Sequence, residues 1–263
     1  MSLTQKIKNQ IGIWKYQHIY NNYFFGLYFD VFQKEYRTQG LRFQIPFEMT
    51  TRSFRSRFFW DVYENKERKY LQQYLSREAS VLELGACLGV VSCVTNSLLA
   101  HPERHVVLEA NPKLIPWIVK NKIQNNCAFA VENTIISQRE AVDFYLHPMI
   151  IAGNTQRITP EKVTIKGVGI EYLEQKYGLQ FDTLMMDIEG GELEFLEQNQ
   201  AFLQRAQSVF MEIHPGKNLL TPEQVSRCYQ ILRDLNYQRI VLDGNFEIWQ
   251  KPSSYSQTYS NSL

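Results

Sequence analysis

Between about residue 80 and residue 250 the chain alternates short apolar runs with amphipathic segments, and the series ends in a hairpin. No other feature restricts the fold as tightly. VLEL (81–84), HVVLE (105–109), AFAVENTIIS (128–137), AVDFYL (141–146), KVTIKGV (162–168), FDTLMMD (181–187) and SVFMEIH (208–214) have strand composition. Between them, VVSCVTNSLLA (90–100), KLIPWIVKNKIQNN (113–126), IEYLEQKYG (170–178), GELEFLEQ (191–198) and PEQVSRCYQILRDLN (222–236) carry apolar residues at helical spacing. Pro112 suits a first helical turn, and Gly178 suits the position just past a helix end. HPMIIAGNTQRITPE (147–161) reads as loop. Repeated β-α units predict an α/β fold, a mostly parallel sheet with helices on both faces. YQRIVLDGNFEIWQ (237–250), turning at Asp243-Gly244-Asn245, predicts a closing hairpin that adds an antiparallel strand.

The flanks differ. Residues 1–78 are aromatic, basic and poor in clear strands, and form an N-terminal extension of helices and loops over the sheet's edge or its active face. That extension is a lid, a substrate-binding segment or a homodimer surface. Its most aromatic stretch, IYNNYFFGLYFDVF (19–32), is expected to pack on its own domain. Residues 79–252 form the main domain, and the polar tail 253–263 is expected to be disordered. A net charge of +1 gives no electrostatic case for nucleic acid. Four dispersed cysteines fit neither a zinc site nor a disulfide framework, which suggests a cytoplasmic protein. No apolar run approaches the roughly 18 residues that a membrane helix needs.

VLELGACLGV (81–90) is strand, turn and helix. Gly85 stands where the chain turns sharply, and Gly89 where a ligand or a helix approaches the backbone. With Ala86 and Cys87 they make a small-residue turn at a helix start. The spacing is GxxxG, so a dinucleotide pyrophosphate is poorly served, and no GK[ST] follows. Glu109, at the end of the next strand, is placed to accept hydrogen bonds from a ribose diol. Glu83 lies inside a buried strand, where an ionised carboxylate needs a partner. A cationic amine near the turn would supply one. A ribose and an ammonium without phosphate describe S-adenosylmethionine.

At these residues the chain resembles the FkbM-type methyltransferases. ELGACLG, VVLEANP, FDTLMMDIEGGELEFL and MEIHP carry the likeness in that order, and VYENKE (62–67) is similar to the family's YE segment. The resemblance covers about residues 60–250. It implies a class I methyltransferase fold, Rossmann-like, with seven strands and the last one antiparallel. It also implies methyl transfer from S-adenosylmethionine, commonly to a hydroxyl on a sugar or a natural-product intermediate. Tyr63, Glu64, Ala110 and Asn111 join the implied donor site by their place in these motifs. Cys87 departs from the pattern, since the family more often has Asn there. A carboxylate or amine acceptor, or an inactive donor-binding module, are the alternatives.

The stretch MMDIEGGELEFLE (185–197) contains five carboxylates. Asp187 and Glu189 follow a strand end and are the functional candidates, while Glu194 and Glu197 read as solvated helix surface. Glu192 fits either role. On the next strand end, Glu212 and His214 share one side by alternation. Two mechanisms follow. In the first, His214 is the general base, oriented by a carboxylate. In the alternative, Asp187, Glu189, Glu212 and His214 bind a divalent metal. The metal-free reading is preferred because the pattern contains only one His. Glu132 and Asn133 are expected near the adenine. RSFRSRFFW (52–60) is either an anion-binding stretch or an aromatic-packed face. His18, His101, His105 and His147 are read as surface or structural.

Overall fold

The computed structural model describes residues 14–146, 159–216 and 219–252. Its strands, in chain order, are β1 (Glu35–Thr38), β2 (Leu41–Gln44), β3 (Val81–Leu84), β4 (His105–Leu108), β5 (Ala130–Glu132), β6 (Ile135–Ile136), β7 (Ala141–Leu146), β8 (Glu161–Val168), β9 (Thr183–Met186), β10 (Ser208–Glu212), β11 (Gln238–Asp243) and β12 (Phe246–Gln250).

The main sheet has seven strands in the order β11-β12-β10-β9-β3-β4-β5. All pairings from β10 to β5 are parallel, and β12 runs antiparallel to both β10 and β11. The closing hairpin therefore inserts its last strand between β10 and β11 instead of adding it at an edge. β3, β4 and β9 are buried on both faces. Leu82, Leu84, Val106, Leu108, Leu184 and Met186 enter one apolar cluster. Val81, Val107 and Met185 point the other way into two more. This is the period-2 alternation of a doubly covered sheet.

Parallel pairing brings the carboxyl ends of β3, β4, β9 and β10 to one edge. The residues that follow them, Gly85, Glu109, Asp187 and Ile213-His214, therefore gather along that edge.

Two expectations need correction here. The run 128–137 is two strands, not one. After β5 the chain leaves the main sheet at Asn133-Thr134, and β6 joins a separate three-stranded sheet ordered β6-β8-β7. Pro112 precedes the helix Ile115–Gln124, whose first turn holds Pro116 instead. Helix Glu192–Gln198 is followed by a further short helix, Gln200–Arg205, that the pattern did not separate. The loop proposed for 147–161 lies mostly outside the described residues, as does the tail.

The N-terminal extension contains a β1-β2 hairpin that its composition hid. Its helices Arg52–Phe59 and Asn65–Tyr74 pack on the domain. Phe29, Tyr36, Phe43, Phe54, Phe58 and Tyr63 form one cluster with Leu88, Val90, Leu114 and Ile118. Asp30 and Arg55 are paired at 2.5 Å inside the extension, and Arg52 also bonds Asp30. The 19–32 stretch is only half absorbed. Gly26 and Phe29 are buried, but Phe24 and Phe32 are 76% and 71% exposed, with Tyr23, Leu27, Tyr28 and Val31 beside them on the outer face. Among the described residues no helix is long and apolar enough to cross a membrane.

Candidate active site

A cavity of about 500 Å³ opens over the gathered strand ends. That volume lies in the range of small-molecule sites. Its floor is Gly85, Cys87, Glu109, Ala110, Asn111, Asp187, Glu189, Glu212 and His214. Arg57 and the segment 62–67 of the N-terminal extension form the opposite wall. Thr134, Ile135, Ile136, Val142 and Phe144, from the small sheet and its approach, supply an apolar side.

Gly85 has φ +87, and a Cβ there would lie 1.9 Å from the Asp187 carbonyl oxygen. The glycine thus lets the ends of β3 and β9 close on each other, an approach sealed by Asp187 N–H donating to Leu84 O at 2.9 Å. Gly89 has φ +72, and its added Cβ would meet Ile118 at 3.3 Å. Of the two options for Gly89, a helix makes the approach. Ala86 is buried in the aromatic cluster and does not line the cavity.

Glu109 sits in the cavity wall, 6% exposed. Cys87 N–H donates to its Oε2 at 2.9 Å, and Asn111 N–H to its Oε1 at 2.7 Å. Burial pushes the carboxyl up to about 7 against the pull of these backbone donors. Each oxygen can still accept another hydrogen bond, which is what a cis-diol requires. Cys87 itself has φ +50, a conformation that Asn tolerates better than most residues. Tyr63 donates its hydroxyl to the Cys87 thiol at 3.3 Å. Beside it, Glu64 lines the cavity with φ +46 and one carboxylate oxygen, Oε2, buried without a hydrogen-bond partner among the described residues. Burial raises its carboxyl well above the usual range.

Two donor-site expectations do not fit the geometry. Glu83 is not waiting for a ligand amine: Ser92 Oγ donates to it at 2.5 Å and His105 Nε2 lies 2.9 Å away, all three buried. The strand and helix below the turn already satisfy it. Glu132 turns away to Lys176 and Tyr177, and Asn133 donates to the carbonyls of Glu109 and Ala110 at 2.8 and 3.1 Å. Neither lines the cavity, because the chain crosses to the small sheet at this point. Thr134, Ile135 and Ile136 take the position instead.

The acidic end is built around His214. Its Nδ1 lies 2.6 Å from Glu192 Oε1, while Nε2 is 3.4 Å from Asp187 Oδ1 and 3.8 Å from Glu189 Oε1. Glu192 is fully buried, accepts from Gly190 N–H at 3.1 Å, and leaves Oε2 without a hydrogen-bond partner among the described residues. Burial opposes charge on the imidazole, but the Glu192 hydrogen bond and the Asp187 and Glu189 charges prevail and hold it up to about 10. His214 is therefore an imidazolium at neutral pH in this arrangement. An imidazolium is a poorer proton acceptor than the neutral ring that the general-base expectation assumed. Enclosure by protein and the Glu212 charge raise Asp187 well above the carboxylate range, with His214 pulling it back. Burial and Glu212 likewise bring Glu67 up to about 7.

Glu67 and Thr134–Ile136 were not singled out as site residues, and Glu192 was left between a helix-start and a site role. Glu192 alone had a readable signal, its place at the helix start facing MEIHP. Glu194 pairs with Arg139 at 3.7 Å at the mouth, and Glu197 with Arg227 at 3.6 Å on the surface. Of the early arginines, Arg52 and Arg55 serve Asp30, and Arg57 reaches the cavity. His18 bonds Trp14 O and His101 lies on the surface near Glu78 and Glu103. His105 is structural, and His147 lies outside the described residues.

The family model described as Methyltransferase FkbM domain matches residues 83–239. The chain belongs to the FkbM methyltransferase family. Its methyl donor is accordingly S-adenosylmethionine, and the strand order is that of a class I methyltransferase. Similar solved structures include a ribosomal protein L11 methylase from Lactobacillus delbrueckii subsp. bulgaricus, at 12% identity and TM-score 0.45 over 73% of this chain and 80% of that one. A precorrin-6y C5,15-methyltransferase from Geobacter metallireducens is 15% identical, TM-score 0.46, over 80% and 93%. An O-methyltransferase from Bacillus cereus, solved with SAH, is 13% identical, TM-score 0.46, over 73% and 83%. Comparison with curated proteins gives no match.

Proposed function

We propose that this FkbM-family protein methylates a hydroxyl of a sugar or secondary-metabolite acceptor. The observation that carries the reading is a single cavity holding Glu109 at one place and the Asp187–Glu189–Glu212–His214 group at another. Glu109 would hold the donor ribose. Ile135, Ile136, Val142 and Phe144 offer the adenine an apolar bed, and Tyr63 and Glu64 face the amino-acid end. The acceptor oxygen attacks the methyl carbon, so a C–O bond forms and the S–C bond breaks, leaving S-adenosylhomocysteine. The hydroxyl proton passes to a carboxylate of the acidic group, Asp187 or Glu189. A carboxylate that is ionised before the step suits that task better than an imidazolium.

Seven carboxyl groups line the cavity (Glu64, Glu67, Glu109, Asp187, Glu189, Glu194 and Glu212), beside Arg57, Lys66, Arg139 and His214. Burial raises the proton affinity of Glu64, Glu67, Glu109 and Asp187, so the lining is acidic in composition rather than uniformly anionic. A cationic amine, which such a lining would accept, is the second reading.

The test starts with calorimetric titration of S-adenosylhomocysteine into the purified chain, beside Glu109→Gln. It continues with S-adenosylmethionine consumption against separate pools of neutral polyols, phenols and amines. A methyl ether product supports the proposal, and a methylamine product transfers it to the second reading. Donor binding with no turnover in any pool would leave a binding module.

A further inference from the structure

The geometry points to a divalent-cation site of Asp187, Glu212 and His214 on the cavity floor, with Glu192 as the residue that positions His214. One ligand atom from each of the three lies within 4.8 Å of the other two. Ligands held about 2.1 Å from one octahedral ion sit roughly 3–4 Å apart, so side-chain adjustment of well under a rotamer change closes the set. The scaffold is rigid. Met186 and Met211 are paired in register on β9 and β10, so Asp187 and Glu212 leave neighbouring strand ends together. Ile213 is anchored in the core between the two ligands of its own strand.

A second observation lies behind the cluster, outside the three ligands. Glu192 is 0% exposed, yet its Oε2 has no hydrogen-bond partner among the described residues, while Oε1 lies 2.6 Å from His214 Nδ1. A buried carboxylate oxygen without a partner is uncommon and calls for an explanation. A carboxylate behind a histidine is also the arrangement that fixes the tautomer of a metal-bound imidazole. With Nδ1–H donating to Glu192, Nε2 faces Asp187 and the cavity. A cation there occupies the place of the Nε2 proton and balances the carboxylates around it.

Two carboxylates and one imidazole form a mixed oxygen and nitrogen set that suits Mn²⁺ and, more weakly, Mg²⁺. The remaining coordination positions face the cavity, where an acceptor hydroxyl can bind. Glu189, outside the three-ligand group, remains to take the proton of a cation-bound hydroxyl. This use of the cation rests on the methyl-transfer reading, whereas cation binding does not.

The test uses the full chain, stripped with a chelator and titrated with MnCl₂ near neutral pH by calorimetry and by loss of the free Mn²⁺ EPR signal. One ion per chain is expected, with Mg²⁺ competing. Glu212→Gln should remove binding, and Glu192→Gln should weaken it by about 10–100-fold. Thermal unfolding of both variants and their S-adenosylhomocysteine affinity show whether they are folded. Absence of stoichiometric Mn²⁺ binding at millimolar concentration overturns the inference, and so does binding that Glu212→Gln leaves unchanged. Wild-type protein that binds Mn²⁺ but no S-adenosylhomocysteine sustains the cation site and removes the methyl-transfer reading.

Discussion

Gly85→Ala tests the geometry on which the whole site depends. At Gly85 a methyl group would lie 1.9 Å from the Asp187 carbonyl oxygen, a backbone atom that no rotamer change can move. The left-handed φ of +87 adds about 1–2 kcal/mol for any residue with a Cβ. Relief of the overlap must part the ends of β3 and β9, and such overpacking costs about 1–3 kcal/mol. The expected loss is about 2–5 kcal/mol. Gly178→Ala is the internal control. Its φ is +63, but nothing lies within 4 Å of the added carbon, so only the conformational cost of about 1 kcal/mol applies.

Urea unfolding of both variants, followed by far-UV circular dichroism, measures the difference with the m-value as a check on two-state behaviour. Gly85→Ala should exceed Gly178→Ala by about 1–4 kcal/mol, in keeping with these conformational and packing costs. S-adenosylhomocysteine should bind Gly85→Ala at least tenfold more weakly, because the displaced peptide carries Asp187. Gly178→Ala should bind as wild type does. Equal stability losses, within about 0.5 kcal/mol, would refute the claim that strand approach fixes this glycine.

Glu109 provides a pH test. Its folded carboxyl stands at about 7 against an ordinary value of 4.5, so the folded state holds an extra proton between those values. The associated stability is full below pH 4.5 and lost as pH rises through 7. Unfolding free energy should therefore fall across that window, and Glu109→Gln should flatten part of the fall. S-adenosylhomocysteine affinity should rise over the same window, since the ionised carboxylate is the better acceptor for a diol. Glu132→Gln should leave that affinity within twofold of wild type, because Lys176 and Tyr177 hold its carboxylate away from the cavity; a larger change would place Glu132 in the donor site after all. Cys87→Asn should raise stability by about 0.5–1 kcal/mol, as Asn tolerates the left-handed conformation better, and a lower urea midpoint would count against that account.

The sequence made the strand ends legible because their apolar runs are short, doubly buried and closed by turn residues. β3, β4, β9 and β10 all fall within the predicted runs. The Asp243-Gly244-Asn245 signal located the final hairpin, though only pairing shows β12 slipping between β10 and β11. The crossing from β5 to β6 was not legible, since AFAVENTIIS has uninterrupted strand character and a change of sheet leaves no local mark. That missed crossing misplaced Glu132 and Asn133. Glu83 was misread for a similar reason. Its partner His105 is 22 residues away, and only the parallel register of β3 and β4 brings them together.

The acidic stretch 187–197 divides in a way that helical periodicity could not supply, because its first residues are not helical. Glu189 at φ +51 and Gly190 at φ +100 reverse the chain between the strand end and the helix. That reversal brings Asp187 and Glu192, five positions apart, to opposite nitrogens of His214. The two carboxylates then have different duties. Glu192 is sealed from solvent and can only orient the ring. Asp187 is exposed to the cavity by 45% of its side chain and can meet a ligand. Glu189 and Glu212 stand close by on the same floor. Methyl transfer to a neutral hydroxyl must dispose of a proton there. A cation in the proposed site would take the place of the Nε2 proton and polarise an acceptor hydroxyl, and Glu189 would take the proton released.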